Sequence, residues 1–197
     1  AFSSAIAVIV MATSGHMRQQ AEQKAARERL LALADRVAGG VIKGDFVSTQ
    51  SELDRAAADP AFAADLPSVD ALRGQVTELS GVHTNLLRSF QAQKGREVVV
   101  EFRTGKTEAL RIADVRGATI VGRRILKEGF IEMPFALRDL SLREKEKRLG
   151  QPAGAGASLA LGLLALEAGD APLAASRFLG SGSTLGSALA RSISAKP

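Results

Sequence analysis

The chain has 197 residues, a formal net charge of +5, 46% hydrophobic content and no Cys, Trp or Tyr. These values exclude a disulfide scaffold, a thiolate metal site and a chain too polar to bury a core. They allow one domain or two small ones, and abundant Ala with few aromatics favours closely packed helices.

The charge is unevenly spread. Residues 96–150 hold 13 Lys and Arg against 9 Asp and Glu, so four of the five excess positive charges fall there. Acids are interleaved with the bases throughout, which favours a solvated mixed surface over a nucleic-acid patch.

Residues 1–12 (AFSSAIAVIVMA) are uncharged and mostly apolar. Twelve residues fall short of the roughly 20 that span a bilayer. The chain begins with Ala rather than Met, and the expectation is the end of a truncated hydrophobic anchor; the alternative is the start of a buried helix. Thr13-Ser14-Gly15 is expected to break this run. From His16 to Val37 the pattern turns charged and helical, with Leu30, Leu31, Leu33 and Val37 forming an apolar stripe. Gly39-Gly40 is expected to loosen the helix end, Lys43-Gly44-Asp45-Phe46 to turn, and residues 48–58 to form a second helix stopped by Asp59-Pro60.

Pro67 to Gln93 reads as one long helix, with Val69, Leu72, Val76, Leu79, Val82 and Leu86 at spacings of three and four. It is expected to pack antiparallel to the first helix, with Ser80-Gly81 weakening its middle.

Residues 97–140 read as sheet. Val98, Val100 and Phe102 alternate with Val99, Glu101 and Arg103, then Thr104-Gly105-Lys106-Thr107 turns. Residues 108–115 alternate again until the parity slips, which predicts a bulge near Ala113-Asp114. Arg116-Gly117 and Lys127-Glu128-Gly129 are the next turns, and Pro134 marks an edge or a break before a short last strand at 135–137. Short strands joined by tight turns fit a small closed barrel whose core holds Val98, Val100, Phe102, Leu110, Ile112, Ile120, Ile131 and Met133. The phrases Phe-Arg-Thr-Gly-Lys-Thr, Ile-Ala-Asp-Val-Arg-Gly-Ala-Thr-Ile-Val and Ile-Glu-Met-Pro…Leu-Arg-Asp-Leu-Ser resemble SH3-like and Sm-like barrels.

Beyond the sheet, Ser141-x-x-Glu144 is a capping box opening a charged helix that ends at Gly150. Residues 151–156 read as a flexible linker. Leu159 to Ala168 is helical, Gly169-Asp170 turns, and Pro172 opens a helix faced by Ala174, Ala175 and Phe178. A loose Gly180-to-Thr184 stretch precedes a last Ala/Leu helix. Leu161-Gly162 with Gly169-Asp170…Ala174…Phe178 resembles a tetratricopeptide repeat unit, and Gly44-Asp45-Phe46…Leu53…Ala57…Asp59-Pro60 is a weaker version. Two separated units imply hairpins packed on the barrel or on each other rather than a peptide-binding array.

No reaction chemistry emerges from these patterns. Gly105-Lys106-Thr107 echoes a phosphate-binding loop, but position 100 is Val where that motif needs Gly. Gly180-x-Gly182 follows a helix and lacks a Lys. His16 and His83 are the only histidines; His83 reads as a surface or core residue rather than a ligand. The acids read as solvated helix charges. The expectation is therefore a protein without catalysis, cofactor or metal, organised as an anchor (1–12), a helical stalk or bundle (13–95), a small barrel with its capping helix (96–150), and a linker with a helical hairpin (151–197). Its fold class is α+β.

That order of parts resembles the non-catalytic C-terminal portion of some membrane-anchored bacterial serine/threonine protein kinases. None of the kinase motifs is present in this chain. The resemblance implies a module tethered to a membrane on its extracytoplasmic side, with a protein partner. The alternative is RNA or other nucleic-acid binding by the barrel through Arg103, Lys106, Arg123, Arg124 and Lys127, which sit in turns or at strand ends.

Overall fold

The computed structural model describes residues 2–150 and 154–194, with side chains described from Met17 onward except Arg18. Among the described residues the chain is α+β, with eight α-helices and one four-stranded antiparallel sheet.

Helix α1 runs from Phe2 to Ile42 and would be about 60 Å long at 1.5 Å per residue. Thr13-Ser14-Gly15 does not break it. A single interior Gly costs only about 1 kcal/mol against Ala, and the good helix formers that follow carry the helix through. The side chains of 1–16 lie outside the described residues, and the anchor reading of 1–12 lies there with them. Among the described residues no helix is long and apolar enough to cross a membrane. Between Met17 and Arg29 the described side chains are exposed apart from a half-buried Ala26, so this part of α1 is a bare stalk. Burial begins at the apolar stripe, where Leu33, Ala34, Val37, Ala38 and Val41 are covered. Gly39-Gly40 does not loosen the end, because Gly40 is where α2 (Phe46–Ala58) crosses closely. A Cβ on Gly40 would overlap the Thr49 hydroxyl.

The turn into α2 places Gly44 at φ +73° and lets the Asp45 carboxylate accept the Ser48 N–H at 3.1 Å. The same device joins α6 (Ala155–Glu167) to α7 (Ala171–Gly180). There Gly169 has φ +87°, and Asp170 accepts the Leu173 N–H at 3.0 Å. In each turn the Asp N–H also donates to the carbonyl five residues back, Gly40 at 3.0 Å and Ala165 at 2.9 Å. Replacing either cap, Asp45→Ala or Asp170→Ala, is expected to cost about 1 kcal/mol. A denaturant midpoint that falls at unchanged slope would show it.

The two hairpins are joined chiefly through two further helices. With α3 (Leu66–Ser80) and α8 (Thr184–Ser194) they share one core that runs from Leu33 and Leu53 through Leu72 and Leu79 to Leu159, Phe178 and Leu189. Arg191 on α8 reaches Asp35 on α1 at 2.6 Å across the same junction.

The expected long helix at 67–93 is two helices, α3 and α4 (Val82–Gln91), parted at Gly81. Ser80 turns its hydroxyl back to the Thr77 carbonyl at 2.8 Å, in competition with the helical ladder. The break lets one apolar stripe serve several neighbours. Val69, Leu72, Val76 and Leu79 face the helical core, Val82 and Leu86 face Leu164 of α6, and Phe90 reaches the sheet. Consequently α3 packs chiefly on α2 and α6, not along α1 as an antiparallel partner.

Strands β1 (Glu97–Glu101), β2 (Thr107–Arg116), β3 (Thr119–Leu126) and β4 (Gly129–Ala136) form a meander in sequence order. The turns fall where expected, and the register shifts between Ile112 and Asp114, the predicted bulge. Lys94 at 2.9 Å and Arg116 at 3.1 Å clamp Asp114 there and hold its carboxyl down to about 2. One face of the sheet carries Val100, Leu110, Ile112, Ile120 and Phe135, packed with Phe90 and Leu140 and flanked by half-buried Val98, Phe102 and Met133. Phe135 meets the Phe90 and Phe102 rings edge-on, with centroids 5.8 and 5.4 Å away.

Three expectations for this region need correction. Ile131 is 42% exposed, since it pairs with Arg124 near the β3–β4 tip, away from the buried cluster. No separate last strand exists at 135–137: β4 continues through Pro134, tolerated on an edge strand, and Leu137–Asp139 forms a 3-10 turn. The sheet is also open, because that turn ends the extended run and β4 does not pair with β1. What touches β1 is the next stretch of chain. A single bridge joins Phe102 to Leu140, with Arg103 N–H donating to the Asp139 carbonyl at 2.8 Å and Ser141 N–H to Glu101 at 3.0 Å.

Candidate functional site

Where the sheet, α4, α5 (Leu142–Leu149) and α6 converge, they leave a cleft of about 590 Å³, within the range of small-ligand sites. Its apolar wall comes from Leu87 on α4, Ala136 at the end of β4, Leu137 and Leu140 after it, Leu142 on α5 and Ala168 at the end of α6. Polar groups enter from five directions: His83 on α4, Arg103 after β1, Arg138 in the 3-10 turn, Lys145 on α5 and Glu167 on α6.

Lys145 is the least expected of these. A lysine is rarely buried without a partner, yet Lys145 is 6% exposed and the structure gives it no hydrogen bond or ion pair. Burial pushes its amine below the ordinary lysine value; Glu167 opposes that shift and Arg103 adds to it. Arg103 likewise has no carboxylate within ion-pair distance. Arg138 has only Asp139, at 4.0 Å.

His83 and Glu167 close one side of the cleft at 2.9 Å, joining α4 to α6 across 84 residues of sequence. The hydrogen bond to Glu167 raises the His83 pKa, partial burial opposes it, and the Glu167 charge reinforces the rise. A raised folded-state value means that the pair's stabilisation is complete below the ordinary value of 6.5 and is lost as pH rises through the folded value. With both side chains partly exposed, solvent screening keeps the effect to about 1 kcal/mol or less. Stability should therefore decline on raising the pH from 6.5, and Glu167→Gln should flatten that decline; chemical denaturation at a series of pH values measures both.

The position of α5 depends on its own charges. Ser141 accepts the Glu144 N–H at 3.0 Å, as the capping motif predicts. The Glu144 carboxylate does not complete the box. Far from being a solvated helix charge, Glu144 is 2% exposed and receives Arg148 Nε at 2.7 Å. The Arg148 guanidinium in turn lies 4.3 Å above the Phe90 ring.

Of the five basic residues expected to form a nucleic-acid surface, the structure brings only Arg103 to the cleft. Lys106 pairs with Glu108 at 2.6 Å, Arg124 approaches the same carboxylate at 3.7 Å, and these cations, Lys106 first, hold the Glu108 carboxyl below its ordinary value. Arg123 binds Glu132 at 2.8 Å on the other face of the sheet and covers the Phe130 ring at 4.3 Å. Lys127 sits in the exposed β3–β4 turn. Among the described residues no group of three or more His, Asp or Glu is placed to hold a metal. His83 was visible in the sequence but its partner was not, and Lys145 was read only as one of the charges of its helix. Comparison of this chain with protein-family models, with curated proteins and with solved structures finds no match.

Proposed function

We propose that the protein is a non-catalytic interaction or sensor module whose recognition site is the cleft between the sheet, α4, α5 and α6. One observation carries this reading: an apolar cleft of about 590 Å³ bears a buried lysine that has no partner of its own. The ammonium group faces the cleft with no carboxylate of the protein beside it, and an anionic ligand would supply one. A membrane tether through residues 1–12, an extracytoplasmic setting and attachment to a kinase domain belong to the same proposal. They rest on the apolar run, the exposed α1 stalk and the order of parts.

The finer description of the sheet as an SH3- or Sm-like roll also belongs here. Its support is residues 139–141, which lie along the end of β1 where a fifth strand would close such a roll. Likewise, the shared Gly-Asp turns and the Gly162–Phe178 packing support the tetratricopeptide-like description of the hairpins.

Titration with the neutral fluorophore N-phenyl-1-naphthylamine tests the cleft. A saturable enhancement at one site is expected, abolished by Ala168→Trp, which fills the cleft. No saturable enhancement, or one that Ala168→Trp leaves intact, would refute the site. For the tether, the coding sequence upstream of Ala1 is expected to extend the apolar run and encode kinase motifs; a start codon directly before Ala1 would remove that part.

RNA binding by the sheet is the second reading, favoured by the exposed Phe130 ring beneath Arg123. Carboxylates already neutralise Lys106, Arg123 and Arg124, which weakens it. Single-stranded RNA titrated at low salt decides: tight, salt-sensitive binding lost in Arg123→Ala with Arg124→Ala would displace the cleft reading.

A further inference from the structure

We infer that the cleft selects a small organic anion, a negatively charged head carried on an apolar body. This rests on the cleft being a binding site and specifies what it takes. The apolar wall of Leu87, Leu137, Leu140 and Leu142 supplies the part that removes hydrocarbon from water. Lys145 and Arg103 supply the charge preference, since both line the cleft and neither has a carboxylate within ion-pair distance.

The balance of fixed charge sets the sign of the ligand's head. The charged and titratable groups facing the cleft are His83, Arg103, Arg138, Lys145 and Glu167. Glu167 acts electrostatically on Lys145 and is itself engaged by His83. One carboxylate therefore already stands inside the ring of cations. The cations lining the cleft outnumber it, and Arg103 and Lys145 are the ones left for an anionic head. Burial depresses the Lys145 amine, and an anion beside it would favour the charged form again. A cationic head would meet Lys145 and Arg103 directly and be rejected. A neutral head could accept a hydrogen bond from the lysine but would bring no charge to it.

Calorimetric titration of the full chain with octanoate, octanol, octylammonium and octyl phosphate tests this. Octanoate and octyl phosphate are expected to bind at one site, octanol at least about tenfold more weakly than octanoate, and octylammonium not at all. Lys145→Met keeps the apolar stem and removes the charge. It is expected to lower octanoate affinity about 10- to 100-fold, the scale of a hydrogen bond to a charged group. Arg103→Gln, at an exposed position, should weaken octanoate in the same direction and serves if Lys145→Met does not fold. Octanol binding as tightly as octanoate would overturn the charge selection while leaving the cleft a ligand site. Saturable N-phenyl-1-naphthylamine binding without octanoate binding would overturn this inference alone, and failure of both would remove the underlying reading as well.

Discussion

Arg148→Ala is expected to destabilise the protein by about 3–5 kcal/mol, the range for stripping one partner from a buried ion pair. The Arg148 side chain is 9% exposed and that of Glu144 is 3% exposed, with 2.7 Å between Nε and the carboxylate. Removing the guanidinium leaves Glu144 with only Lys147 at 3.7 Å and uncovers the Phe90 ring. Glu144→Ala should cost a similar amount by stranding the arginine. The double variant Glu144→Leu with Arg148→Met should cost much less than either, because an apolar pair of similar volume has no desolvation penalty to offset. Equal losses in the single and double variants would mean that packing, not charge, positions α5. The consequence reaches the cleft, since α5 carries Lys145 and Leu142.

Phe178→Ala is expected to cost about 3–5 kcal/mol, as for other fully buried aromatics. Phe178 is 0% exposed and lies directly over Gly162, where an added Cβ would come within 2.5 Å of its ring. The two positions are complementary in size, so they should be coupled. Gly162→Leu alone should overpack the site, costing about 1–3 kcal/mol even after the gain in helix propensity. Combined with Phe178→Ala, the leucine fills part of the vacated volume, and the pair should cost less than the sum of its parts. Strict additivity in thermal unfolding would contradict this packing.

The elements that local chemistry specifies were legible in the sequence. The alternation from Val98 onward, the slip at Ala113-Asp114, the Ser141 cap and the Gly-Asp turns at 44–45 and 169–170 all depend on neighbours within a few residues. The misreadings came where tertiary packing overrides local preference. Gly39-Gly40 looked like a loosened end, but Gly40 is the close crossing point with Thr49. Ser80-Gly81 looked like a weak point in one helix, but it divides a stripe between the helical core and the sheet. Ile131 had the right parity for the core and lies beyond its edge.

The cleft was illegible for a related reason. Its residues run from His83 to Ala168 on five separate elements, with no spacing that links them. Lys145 looks in sequence like any other charge of the LREKEKRL helix. Only the packing of α5 between α4 and the sheet buries it. The signal that could have raised it is the half-apolar setting of Leu142 and Leu149 on the same short helix, which implies that one of its faces is covered.

The most direct test of the cleft as the recognition site is amide chemical-shift mapping of the 15N-labelled chain during titration with octanoate. The shifts are expected to cluster at 83–87, 103, 136–145 and 167–168, and to need about 10- to 100-fold more octanoate in Lys145→Met. Shifts confined to the other face of the sheet around Val99, Arg123 and Phe130, or to the α1 stalk, would contradict the account.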